Sequence, residues 1–195
     1  MSLDDVIERL SGDERNKWIG VYIGVLAVLL AVCGMAGGNA AKDANRAHIE
    51  ASNTWAFFQA KNIRRNAVML AVDELELTLA TQPRLPEPVR KQFEDKIKDY
   101  RATIERLSRD PEKQEGLDEL LAKGKALEAE RDVALRRDPY FDWSQALLQI
   151  AIVLASVHLI IGNLLLLGLS GGLGALGMLL MLNGFTLAVR LPFLG

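Results

Sequence analysis

Two uncharged stretches and one long charged stretch divide this chain. Residues 18–41 and 143–189 contain no Asp, Glu, Lys or Arg, and most of the charge lies between them. A helix needs about 20 apolar residues to cross the hydrocarbon core of a bilayer. The pattern therefore predicts an integral membrane protein with three transmembrane helices. Their predicted ranges are 18–38, 143–161 and 164–189.

The polar segment between the first two spans, residues 39–142, has helical periodicity throughout. Three prolines within residues 81–88 separate its first helix from the next. Apolar positions in residues 88–108 recur at spacings of four and three, which is typical of a coiled coil. Asp110-Pro111 resembles a fresh helix start, and Asp138-Pro139 predicts a break or a kink before the second span.

Both ends of this polar segment are tied to the membrane, so its path must run out and back. We expect one long protruding antiparallel helical hairpin, coiled-coil-like, whose return arm is broken at Pro111. A short amphipathic segment, residues 1–17, precedes the first span. No strand pattern of any length occurs, so the predicted fold class is an all-α membrane protein.

The charge distribution excludes some partners and indicates an orientation. The polar segment holds 19 of the 23 Lys+Arg and 20 of the 25 Asp+Glu, a near balance that provides no electrostatic footprint for nucleic acid. Cys33 is the single cysteine, so an intrachain disulfide cannot form. Basic residues are fewer on the N-terminal side of the first span than beside the other polar span ends. This bias places the polar segment in the cytoplasm.

One stretch of the polar segment, ASNTWAFFQAKNIRRN at residues 51–66, is unusually rich in aromatic, amide and basic residues. Helical spacings of three and four place several of these residues on one face, which predicts a packed seam within the hairpin or between subunits. We call this set the assembly seam. It comprises Ala51, Trp55, Phe58, Asn62 and Arg65. Polar seam residues can fix register or oligomer number. An interfacial belt on lipid and a binding surface are the alternatives.

Small and polar residues in the spans predict packing between helices. The glycines of SGGLGALG lie in a transmembrane run without a preceding strand, so they indicate close helix approach and not a nucleotide loop. In the second span three polar residues are seven apart, and we expect them to form interhelical hydrogen bonds, with a wet pore lining as the alternative. The predicted packing residues are Gly168, Gly171, Gly172, Gly174, Gln149, Ser156 and Asn163.

No catalytic, cofactor-binding or metal-binding pattern stands out in the sequence. His48 and His158 lack a Cys, a carboxylate or a second His at ligand spacing. We therefore expect no cofactor and no enzyme activity. The absence of charged residues from the spans argues against an ion-coupled carrier.

Two stretches resemble a known family. IEASNTWAFFQAKNIRRN and ERDVALRRDPYFDWSQALLQIAIVLAS look like the bacterial domain of unknown function 4337 family. The family's Asn-x-Trp-aromatic-aromatic-Gln-Ala-Lys motif is matched at Asn53, Trp55, Phe58, Gln59, Ala60 and Lys61, with Ala56 making the spacing one residue longer. The resemblance implies one N-terminal span, a polar helical insert and a C-terminal hydrophobic pair, and it implies no activity.

These features together predict a non-enzymatic, multi-pass protein of the bacterial inner membrane. We expect a homo-oligomeric scaffold or accessory subunit that presents a coiled-coil domain. Its expected partners are the lipid bilayer, further copies of itself and a membrane protein complex that the sequence does not name. The alternative is an oligomeric membrane pore or channel.

Overall fold

The computed structural model describes the backbone of residues 3–191 and the side chains of residues 16–191. Within this part, four helices and no strand are present, which confirms the predicted all-α fold. The helices are α1 (Leu3–Thr81), α2 (Glu87–Ser108), α3 (Leu117–Ile161) and α4 (Leu164–Thr186). Of these, α1, α3 and α4 are long and apolar enough to cross a membrane.

Helix α1 is longer than any element that the sequence pattern delimits. Its backbone stays helical through Ser11-Gly12 and through Gly37-Gly38, although glycine is a poor helix former. The predicted amphipathic face of residues 1–17 rests on side chains that lie almost entirely outside the described residues. Glycine weakens a helix by only about 1 kcal/mol, which neighbouring turns can offset.

Helix α3 passes through a predicted break. Pro139 lies inside the helix, although proline removes a backbone donor and typically costs about 3 kcal/mol there. The two following side chains, Tyr140 and Phe141, are 3% and 2% exposed. Burial of these two aromatic rings offsets the lost hydrogen bond, so the helix continues through Asp138-Pro139 and the first of the two predicted outcomes, a break, is wrong.

The junction between α2 and α3 differs from the expected helix start at Asp110-Pro111. Only one turn forms there, in which the Asp110 carbonyl accepts from the backbone N–H of Gln114 at 2.8 Å. The Asp110 side chain accepts from the N–H of Lys113 at 3.2 Å, as in a helix cap. Gln114 then adopts a left-handed φ of 55°, which ends the turn. The next helix begins at Leu117.

The chain divides into two compact units. We call Met1–Ala44 with Asp132–Gly195 the apolar unit, and Asn45–Arg131 the polar unit. Helices α1 and α3 contribute residues to both. The core of the apolar unit joins α1, α3 and α4, and it contains Leu26, Cys33, Ala40, Phe141, Leu148, Ala151 and Met181.

Within the apolar unit, α3 and α4 form a hairpin around a two-residue turn, as expected for Gly162-Asn163. Gly162 has a φ of 74°, a left-handed conformation that favours glycine. The Asn163 side chain caps α4 by accepting from the N–H of Leu165 at 3.0 Å. Further along the hairpin, the hydroxyl of Ser144 donates to the Gly177 carbonyl at 2.7 Å.

Within the polar unit, contacts join α1 to α3 in antiparallel order. Arg46 pairs with Glu130 of α3 at 3.0 Å, and Lys61, further along α1, lies 3.6 Å from the carboxylate of Glu115, two residues before α3 begins. Rising numbers in α1 therefore meet falling numbers in and just before α3. Beyond Lys61, α1 is paired with α2, where Glu76 accepts from Arg101 at 2.7 Å.

Candidate assembly site

The centre of the assembly seam is a contact between an indole and a glycine. The ring of Trp55 lies on Gly124 of α3, so that a β-carbon at Gly124 would stand 2.9 Å from ring atoms Cε2 and Cζ2. Trp55 Nε1 donates to Glu128 Oε1 at 3.0 Å. Phe58 meets the indole edge to face, with ring centroids 5.7 Å apart. Ala51, one turn earlier, is buried. The seam therefore packs within one chain, which is one of the two arrangements expected for it.

At the polar end of the assembly seam, the hydrogen bond lies within α1. Arg65 Nη2 donates to Asn62 Oδ1, one turn away on the same helix, at 3.0 Å. Arg65 Nε is buried without a hydrogen-bond partner. Glu128 of α3 accepts from Trp55 and not from Arg65. Arg65 lies ten residues, or about 15 Å, further along α1 than Trp55, so Glu128 is level with the indole and not with the guanidinium.

Lys61 has a role that the spacing argument missed. At about 100° per residue, Lys61 points away from the middle of the assembly seam, so helical spacing alone predicts no seam contact for it. Its ammonium group donates to the Glu115 carbonyl and lies 5.0 Å from the centroid of the Phe57 ring. A position at the edge of a helix face can reach a loop that crosses beside it. The sequence does not show that the loop between α2 and α3 passes beside Lys61.

The glycines of α4 separate into packed and open positions. A β-carbon at Gly174 would stand 3.1 Å from both Leu26 and Tyr22 of α1, so this glycine lies where the helices meet. The other three predicted packing glycines, Gly168, Gly171 and Gly172, face open space. The chain alone does not cover them.

Two packed glycines of α4 were absent from the prediction. A β-carbon at Gly177 would stand 3.1 Å from Leu148, and one at Gly184 would stand 2.9 Å from Phe141. Their signal was available as a spacing of four and three among the buried residues of α4. These are Ser170, Gly174, Gly177, Met181 and Gly184.

The three polar residues predicted to share a face of the second span are not equivalent. The side chain of Gln149 is exposed, and it makes no hydrogen bond among the described residues. The hydroxyl of Ser156 donates to the carbonyl of Ile152, in its own helix, at 2.8 Å. Asn163 lies beyond the end of α3 and caps α4, so it does not extend the face.

Other polar groups of the apolar unit are buried and bonded. His158 is 2% exposed, and its Nδ1 lies 2.7 Å from the Asn163 carbonyl. The hydroxyl of Ser170 donates to the Ala151 carbonyl at 2.7 Å and lies 3.1 Å from the hydroxyl of Tyr22. Tyr22 therefore donates to Ser170, and this chain of bonds links all three apolar helices. Gln149 differs from these groups because its amide lacks such partners.

The described residues contain no group of three or more His, Cys, Asp or Glu side chains that could hold a metal ion. Two of the open glycines of α4, Gly168 and Gly172, line a shallow groove with few polar atoms. Its lining residues are Leu165, Gly168, Leu169, Gly172, Leu173 and Leu176. Such a surface can accept a helix or a lipid chain, and it offers no group for acid–base or nucleophilic chemistry.

The family model described as Domain of unknown function (DUF4337) matches residues 15–187. The matched range includes the assembly seam, the packed and open glycines, and Gln149. No curated protein and no solved structure matches the chain.

Proposed function

The chain belongs to the family of domain of unknown function 4337, as the resemblance of its two motif stretches predicted. From the contacts of its own residues we propose a function in membrane assembly. The protein is a non-enzymatic integral membrane protein that associates with copies of itself. It acts as a scaffold or accessory subunit. The apolar parts of α1 and α3 cross the bilayer together with α4, and the polar unit forms a protruding, coiled-coil-like hairpin.

The exposed amide of Gln149 carries this proposal. Gln149 lies within the apolar part of α3, where a free amide in hydrocarbon is unfavourable unless it finds a partner. The hydroxyls of Ser144 and Ser170, by contrast, are bonded inside the chain. A second copy can supply the missing partner for the amide. The open face at Gly168 and Gly172 lets another helix approach closely.

Native mass spectrometry of the detergent-purified protein tests the proposal. We expect a homo-oligomer whose mass falls towards the monomer in Gln149→Leu and in Gly172→Leu. Ala27→Leu is the matched control, because it enlarges an exposed small residue on α1. A monomeric wild-type protein, or an oligomer that both variants leave intact, would contradict assembly through this surface.

The proposed location is the bacterial inner membrane, with the polar unit in the cytoplasm. The support is the excess of Lys and Arg beside the span ends that face the polar unit. Single cysteines at Ser108 and Ser2, in a Cys33→Ser background, can be labelled in intact cells with a membrane-impermeant maleimide. We expect labelling at Ser2 alone, and labelling at Ser108 alone would reverse the orientation.

An oligomeric pore is the second candidate, and the same exposed amide favours it. A ring of Gln149 side chains at the centre of an oligomer would line a polar path without any charged residue in the spans. Purified protein in planar bilayers would then conduct, and Gln149→Leu would reduce the conductance. An oligomer that forms but conducts no ions leaves the scaffold as the function.

A further inference from the structure

Helix α1 carries a second apolar stripe, on the side of the polar unit away from the assembly seam. Hydrophobic residues recur there every seven positions, and we call them the outer stripe. They are Ile49, Ala56, Ile63, Leu70 and Leu77. The four large members are between 52% and 69% exposed. At 100° per residue, the middle of the outer stripe lies roughly 120° around the helix from the middle of the assembly seam, so the two surfaces face different directions.

The seven-residue spacing of the outer stripe favours a helix as the element that packs on it. Successive members of a seven-residue repeat drift by about 20° around a straight helix. The repeat stays on one line only when two helices coil around each other, with side chains interlocked. The partners of α1 inside the polar unit lie on the seam face, as at Gly124, and leave the outer stripe uncovered.

A matching surface exists on the same stripe of another copy. Among the described residues of the polar unit, α2 and α3 together expose one large hydrophobic residue, Leu121. Neither helix can offer an apolar seam about 42 Å long, which is the length of the outer stripe. Two identical stripes are self-complementary about a two-fold axis.

We propose that two copies of the chain pair through the outer stripe as a parallel, in-register coiled coil. This inference rests on the proposed homo-oligomeric function and identifies a contact surface for it. The outer stripe supplies the d positions of the repeat. The a positions, three residues earlier in each heptad, are Arg46, Asn53, Ala60, Ala67 and Glu74. Each of them is exposed in the single chain.

The residues at the a positions suit a close two-stranded pair. Ala60 lies between Ala56 and Ile63, and Ala67 lies between Ile63 and Leu70. Both are small enough to let the two helices approach closely. A single asparagine at an a position, here Asn53, specifies register and a defined number of strands at some cost in stability. Its amide would face the amide of Asn53 in the second copy.

The like-charge contacts between the two copies differ between parallel and antiparallel pairing. An antiparallel pair centred on Ile63 would bring Arg64 beside Arg64 of the second copy, an unfavourable like-charge contact. The parallel pair places Arg64 beside the neutral Gln59 of the second copy, which can accept a hydrogen bond. Arg46 and Glu74 each meet their own counterpart in the parallel pair, and Arg46 is also paired with Glu130 of its own chain. Glu74→Leu should therefore strengthen the dimer, whereas most changes to the stripe weaken it.

Cross-linking of the full-length protein in native membranes tests the surface. In a Cys33→Ser background, Ile63→Cys should give a covalent dimer with a short bismaleimide. Leu121→Cys, at an exposed apolar position on α3, should give none. Co-expressed Ile49→Cys and Leu77→Cys chains should cross-link 49 to 49 and 77 to 77. A mixed product joining 49 to 77 would overturn the parallel arrangement.

A substitution in the stripe tests its contribution to association. Ile63→Asp should weaken self-association by about tenfold or more, because burial of a large aliphatic side chain is replaced by two facing carboxylates. The helical content of the single chain should not change, since Ile63 is 69% exposed there. Leu121→Asp is the matched control.

The outcomes separate this inference from the proposed function. An oligomer that persists in Ile63→Asp, with no cross-link at position 63, would overturn the outer stripe and leave assembly through the spans intact. A protein that is monomeric both in membranes and in detergent would overturn both. Loss of association in Ile63→Asp, together with unchanged association in Leu121→Asp and a cross-link at Ile63→Cys, supports the stripe.

Discussion

Replacing Gly124 with alanine is a direct test of how the assembly seam is packed. The new β-carbon would stand 2.9 Å from two atoms of the Trp55 ring. Non-bonded carbon atoms are most favourable at about 3.5–4.0 Å, so the ring or the helix must move by about 0.6 Å or more. The indole is rigid, and Nε1 donates to Glu128 at 3.0 Å. A shift of the ring therefore weakens that hydrogen bond as well.

The expected magnitude follows from three opposing effects. Overpacking of this kind costs about 1–3 kcal/mol, and loss of the Trp55–Glu128 hydrogen bond costs about 1 kcal/mol more. Alanine gains about 0.8–1.0 kcal/mol over glycine within a helix. Gly124→Ala should therefore destabilise the chain by about 1–3 kcal/mol. In a chain of this size, each kcal/mol lowers Tm by about 2–4 °C.

The sign of the effect should reverse when the indole is removed. In a Trp55→Ala background, Gly124→Ala meets no ring and should stabilise the helix by about 1 kcal/mol. Thermal unfolding of the wild type, the two single variants and the double variant, followed by far-UV circular dichroism in one detergent, gives the coupling between the two sites. Equal Tm shifts for Gly124→Ala in both backgrounds would refute the contact. Trp55→Phe separates the hydrogen bond from the packing.

Two further predictions concern the apolar unit. Gly177→Ala should lower Tm by the equivalent of about 1–2 kcal/mol, because its β-carbon would press on the buried Leu148 at 3.1 Å, while Gly172→Ala, in open space, should not; equal Tm values would contradict the difference. Burial and the neighbouring Asp142 raise the pKa of Asp138, so its ionisation disfavours the folded state, and Asp138→Asn should raise Tm at neutral pH. This gain should shrink as the pH falls towards about 3.9, below which Asp138 is protonated in both states, and a gain that is independent of pH would refute the assignment.

The sequence predicted the helical class and the three apolar helices because both depend on local composition. Charge-free runs about 20 residues long have few alternatives to a membrane helix. The predicted breaks were less reliable, since a local signal competes with packing that it does not record. Pro139 stays within α3 because Tyr140 and Phe141 are buried beside it. Asp110-Pro111 does form a cap-like turn, but the turn stops at Gln114.

The face of the assembly seam could be predicted, but its contacts could not. Spacings of three and four place Ala51 and Trp55 on one side of α1 whatever the partner is. Which α3 residue meets Trp55 depends on the register between two helices that are 69 residues apart at Gly124, and one sequence does not contain that register. The glycines of α4 show the same limit. Composition indicated close packing, while the structure shows that Gly174 has that role within the chain and Gly172 does not.

The bonds between Tyr22 and Ser170 and between Cys33 and Phe141 have a consequence for biosynthesis in the proposed membrane topology. They join residues 148 and 108 positions apart, respectively. Synthesis proceeds at about 5–20 residues per second, so Ser170 emerges roughly 7–30 s after Tyr22. Until the last hairpin is synthesised, the first span therefore lies in the bilayer without Ser170 as a partner for the Tyr22 hydroxyl. During that interval, an insertion factor or a finished copy of the protein can occupy the same surface.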